Sequence, residues 1–191
     1  MAGSGLDSLR ETHDVKVEWK AFELRPKGSP PIPTEYRERI LQGWPRVQQI
    51  ARERFNVEMN HPGLKNPGDT FLAHMGAKFA GKRGMGEAYH KAVFRAHWQT
   101  TQDISDVAVL AEIAKNIGLD ETAFRQALTD PGLHAEVLAD EHWAMQNGLG
   151  GVPAFIFGNR YLVSGAQPVE VLRQVAGRCI EEGLVEAQTT K

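Results

Sequence analysis

A chain of 191 residues with 22 Lys+Arg against 24 Asp+Glu carries a formal net charge of −2. That length fits one domain, or one with an insertion, whose core needs no covalent staples, and the balanced charge gives no basic field to attract nucleic acid. The one cysteine, Cys179, excludes an internal disulfide, a CxxC pair and a cysteine-rich zinc site within these residues, and no apolar run approaches the ~18 residues of a membrane span.

In chain order, residues 6–12 read as a short helical fragment. Val15, Val17 and Trp19 then alternate with charged residues, and Phe22 follows, which predicts a half-buried strand over 15–22. Residues 25–33 (RPKGSPPIP) form a loop. Thr34 is placed to cap a helix that Trp44-Pro45 interrupts or kinks, because proline lacks the amide proton of a helix interior; a second helical segment covers 47–55. After a loop over 60–68, the pattern is helical from Thr70 to Met145: five helices, with Asp120 as an N-cap and Asp130-Pro131-Gly132 opening the last. Residues 154–157 (AFIF) and 161–164 (YLVS) are short apolar strands around Gly158-Asn159, a hairpin turn. Pro168 opens a final helix, and 186–191 read as a frayed tail. Helix fragment, strand, helical block, hairpin and helix add up to an α/β or α+β domain with a helical insertion.

Several segments carry a family resemblance. Gly151-Val152-Pro153-Ala154-Phe155 and Ser164-Gly165-Ala166-Gln167-Pro168, taken together, resemble the thioredoxin superfamily, within it the FrnE branch of DsbA-like oxidoreductases. Val17 through Pro26 (VEWKAFELRP) resembles that branch's second strand and following loop, and Asp69-Thr70-Phe71-Leu72-Ala73-His74 the start of its first inserted helix. The resemblance implies a thioredoxin-like α/β fold, with 1–33 and 146–191 forming the thioredoxin-like part and 34–145 an all-helical insertion. It also places the family's first strand and CxxC motif at or before Met1, so the chain is expected to begin inside the active-site segment without either thiol. The slot of that central strand is then empty, filled by a longer chain or a second copy in a homodimer, or closed by direct pairing of 15–22 with the hairpin.

The resemblance implies a groove between the two parts as the binding site. Val152-Pro153 matches the cis-proline whose preceding residue offers its N–H and C=O to an extended ligand; a plain strand-opening proline is the alternative. Gly151 belongs to the same turn. Ser164, Gly165 and Gln167, ahead of the last helix, could hold a carboxylate such as glutathione's or simply cap that helix. His74 borders the implied groove, either tuning a thiol or binding a ligand, or serving as a satisfied wall residue. His90 and His97 share a helix stripe without an acidic or cysteine partner and read as structural, as does Cys179. His13, His61, His134 and His142 are scattered, and the four tryptophans read as core and groove lining. Three functions follow: a thiol–disulfide oxidoreductase family member whose catalysis is in doubt without a CxxC, a glutathione-dependent isomerase or transferase-like protein with Ser4 as the hydroxyl nearest the motif, and a non-catalytic peptide- or partner-binding module. No catalytic residue, metal or cofactor is assigned. Glutathione or a thiol- or disulfide-containing peptide is the ligand, nucleic acid and membranes are not partners, and the expected compartment is the cytoplasm.

Overall fold

The computed structural model describes residues 1–63 and 69–185. Part of the loop read over 60–68 and the tail read over 186–191 therefore lie outside the described residues. The elements run α1 (Ala2–Arg10), α2 (Thr34–Phe55), α3 (Phe71–Gly81), α4 (Gly86–Trp98), α5 (Val107–Asn116), α6 (Glu121–Ala127), α7 (Pro131–Gln146), β1 (Ala154–Phe157), β2 (Tyr161–Ser164) and α8 (Val169–Glu181). No helix among the described residues is long and apolar enough to cross a membrane.

Contacts divide the chain into two compact units. Among the described residues, one gathers 1–19, 49–57 and 149–185, the other 20–48, 58–63 and 69–148. The expected division of 1–33 and 146–191 against 34–145 is drawn differently by these contacts in three places: 20–33 and 146–148 group with the helices, and 49–57 with the hairpin.

In the helical unit, α3 packs against α4, α6 and α7, around a core that includes Phe79, Tyr89, Leu110, Phe124 and Val137. Three aspartates start three of these helices. Asp106 accepts from the Ala108 amide at 2.7 Å, Asp120 from Ala123 at 2.6 Å, and Asp130 from Gly132 and Leu133 at 2.6 and 3.0 Å. Each such cap is worth about 1 kcal/mol. Pro131 follows Asp130 at the first helical position, where its missing N–H costs nothing.

In the other unit, β1 and β2 form an antiparallel hairpin with Ala154 opposite Ser164 and Phe157 opposite Tyr161. Gly158 and Asn159 both have positive φ, 54° and 55°, as a two-residue hairpin turn requires. Leu6 and Leu9 of α1, Val163 of β2, and Leu172 and Ala176 of α8 make the small core beneath it.

Two sequence expectations need correction. Residues 15–22 are not a strand. Val15 and Val17 do face the small core, so the alternation reports real burial, but the sheet among the described residues contains only β1 and β2. Strand identity needs a hydrogen-bonded neighbour, which periodicity in one segment cannot supply. Of the two outcomes expected at Pro45, an interruption or a kink, the interruption does not occur: α2 runs through it. Leu41, whose carbonyl Pro45 cannot serve, is 51% exposed, so water can take that acceptor.

Candidate functional site

The hairpin brings six of the seven sequence-selected residues into one unit. The Val152–Pro153 bond is cis. Gly165, at φ 80°, donates its N–H to the Pro153 carbonyl at 2.8 Å, which extends the β1–β2 ladder by one rung. The ladder stops there. Val152 is 50% exposed, and among the described residues nothing hydrogen-bonds its main-chain N–H or C=O. Among the described residues, its chain neighbours aside, no atom lies within 4 Å of the position a Gly151 Cβ would take, so that side of the turn is open. An extended backbone can pair with such a free edge.

Gln167 is already engaged: its Nε2 donates to the Ser164 carbonyl at 2.8 Å. Its side chain closes the turn into α8 but, as a donor, caps none of that helix's free N–H groups. Pro168, the N-cap of α8, gives no side-chain cap. Ser4 donates its hydroxyl to the Met1 carbonyl one turn back at 2.8 Å. Cys179 is 2% exposed, packed beneath Gly158, and burial pushes its thiol above the usual range. Nucleophilic thiols are ionised and accessible; this one is neither.

The seventh residue, His74, belongs to the helical unit. Burial is the largest influence on its ring and holds it below the usual imidazole range, while a hydrogen bond to the Phe22 carbonyl and the Asp140 carboxylate act the other way. The same strand of chain is held at two further points. Asp140 accepts the Ala21 N–H at 2.8 Å, and Glu23 accepts the Thr70 N–H and hydroxyl at 3.1 and 3.2 Å. Thr70 is the N-cap of α3 but makes no capping bond with its own side chain, so Glu23 supplies the acceptor from a distant segment. Burial raises the Glu23 carboxyl above its ordinary value, and Glu141 and Asp69 add to this by like charge, against the Thr70 bonds. Asp140 also pairs with Lys78 and, at 3.6 Å, with Lys20.

Sequence reading selected neither Asp140 nor Glu23. A signal for Asp140 was present: it shares the buried stripe of α7 with Leu133, Val137 and Ala144, where a lone charge needs partners. His90 stacks on Phe94 at 4.2 Å between ring centroids. A hollow of about 330 Å3 between α3 and the α6–α7 turn is lined by Phe71, Leu72, Met75, Leu128 and His134, with little polar chemistry.

Beside this hairpin preceded by a cis-proline, with α1 and α8 packed together on its core, stands a family match: the model of the DSBA-like thioredoxin domain covers residues 1–176. The chain belongs to that family. Its thioredoxin-like DsbA fold is mostly helical with a small sheet. YwbO, an uncharacterized protein of Bacillus subtilis (strain 168), is 33% identical over 154 residues, 80% of this chain and 77% of its own. Among solved structures, SCO1869 from Streptomyces coelicolor, a probable DsbA oxidoreductase, superposes with a TM-score of 0.79 at 27% identity, over 100% of this chain and 86% of that one. A 2-hydroxychromene-2-carboxylate isomerase shares the fold at a TM-score of 0.78 and 18% identity, over 95% and 90% of the two chains.

Proposed function

We propose that this DsbA-like chain binds an extended thiol- or disulfide-containing peptide, or glutathione, along the main chain of Val152, in the cytoplasm, and that the 191 residues do not themselves exchange disulfides. The observation that supports binding is the half-exposed Val152, whose N–H and C=O have no hydrogen-bond partner among the described residues where the hairpin ladder ends. The lone Cys179, buried with a raised thiol, supports the absence of exchange. The isomerase-like alternative gains nothing from Ser4, whose proton is spent inside α1.

Amide resonances give the test. Titration with glutathione disulfide, or with a short disulfide-bearing peptide, is expected to shift the amides of Gly151, Val152 and Gly165 in a saturable way at millimolar concentration or below, and insulin reduction stays at background. No shift at those amides overturns the binding site. Turnover of insulin by the pure chain overturns the second half of the proposal.

A further inference from the structure

One edge of the helical unit is closed by four rings. Trp44 of α2 stacks on Trp98 of α4, with centroids 5.9 Å apart and planes 12° from parallel. His61 meets Trp44 edge-on at 4.7 Å, and His97 meets Trp98 edge-on at 4.6 Å. Around them, Gln48 donates to the Met59 carbonyl at 2.9 Å and Asn60 to the Gln99 carbonyl at 2.7 Å. The rest of α2 contributes little. Of its 22 residues only Ala51 is buried, while Tyr36 and Leu41 are 57% and 51% exposed. A helix held by so few buried groups opens at a small fraction of the global stability, so residues 34–48 depend on the Trp44 stack.

The histidines make that stack sensitive to protons. His61 Nδ1 accepts the Gly63 N–H at 3.0 Å. An acceptor nitrogen needs its lone pair; an imidazolium has none and would set N–H against N–H. His97 faces the Asp103 carboxylate, which favours its charged form, and His61, which disfavours it.

We propose that the Trp44, His61, His97 and Trp98 stack is an acid-released latch, holding residues 34–48 of α2 on the helical unit at neutral pH and letting them go as the two histidines take up protons. Burial holds both imidazoles below their ordinary 6.5 while the latch is closed, outweighing Asp103 at His97. Once released, they return to about that value. A base whose pKa is depressed in the closed state contributes stability that is whole above the open-state value and drains away as pH falls below it. The working window therefore lies below about pH 6.5.

Hydrogen exchange read by mass spectrometry on the whole chain tests this. Rates in 34–48 are compared at about pH 7.5 and about pH 5.5, corrected for intrinsic exchange and referred to α3 amides. The relative rate is expected to rise at the lower pH, by up to roughly tenfold for each histidine released. His61→Gln keeps an acceptor for Gly63 but cannot be protonated, and is expected to remove most of the rise; if it does not fold, His97→Gln should remove its share. Equal relative rates at the two pH values in the native chain overturn the latch, as does a folded His61→Gln that keeps the full rise.

Discussion

Asp140→Ala is expected to lower the unfolding free energy by about 3–5 kcal/mol, the usual cost of deleting one partner of a buried ion pair. Asp140 is 6% exposed, and three groups depend on it: Lys78, whose side chain is only 21% exposed, Lys20, and the N–H of Ala21. Truncation leaves an ammonium in a poorly solvated place and a buried amide with no acceptor, a loss of about 1–3 kcal/mol for the amide alone. Two companion variants separate these terms. Asp140→Asn keeps an oxygen for Ala21 and should lose less. Adding Lys78→Met to Asp140→Ala removes the stranded charge and should recover much of the loss, because an apolar replacement of a whole buried pair is often nearly neutral. Urea unfolding measures all three. A loss below about 1 kcal/mol for Asp140→Ala would show that the pair behaves as a surface bridge does.

Gly76→Ala is the second large effect, and it runs against helix propensity. Alanine normally gains about 1 kcal/mol over glycine inside a helix. Here a Cβ would collide with the Tyr89 hydroxyl and lie 2.7 Å from Tyr89 Cζ and 2.8 Å from Phe124 Cζ. Neither ring can swing aside, since Tyr89 is 1% exposed and Phe124 fully buried, with centroids 5.6 Å apart. Overpacking of this kind costs about 3 kcal/mol at the upper end of the usual range, so a net destabilisation of about 2 kcal/mol or more is expected, or a melting temperature lower by about 4–8 °C at this chain length. Tyr89 offers the cross-check. Its hydroxyl is buried without a hydrogen-bond partner among the described residues, so Tyr89→Phe alone should be neutral or stabilising. It also removes the nearest clashing atom, and the double variant should lose less than Gly76→Ala by itself. A Gly76→Ala chain that melts at or above the native temperature would mean that the α3–α4 packing yields where the structure has it rigid.

Much of the fold was legible because local chemistry decides it. Asp120 and Asp130 announce their helices through caps formed within three residues, and Gly158-Asn159 announces the hairpin through backbone conformations that few other residues take. The failures have a common cause in partners distant along the chain. The alternation of Val15 and Val17 reports which side is buried but not whether another strand lies alongside. Pro45 looks like a helix breaker until the exposure of Leu41 is known. Of the site, the residues beside Val152-Pro153 were legible from the family resemblance. Glu23 and Asp140 were not, since their partners, Thr70 and Ala21, are remote in sequence. In sequence His61 reads as scattered and His97 as sharing a stripe with His90, although the rings His61 and His97 meet are those of Trp44 and Trp98.

The burial of Cys179 has a practical corollary. Its sulfur lies on the buried face of α8 under the β1–β2 turn, where a Cβ on Gly158 would approach it to 3.3 Å. A thiol reagent added to the native protein can therefore alkylate it only through molecules in which that corner has come apart, so the speed of labelling is a clock for the opening of the C-terminal helix. The same burial favours spectroscopy: a cysteine placed on the surface takes a spin label or dye ahead of Cys179, so a short reaction marks it without first replacing the native thiol.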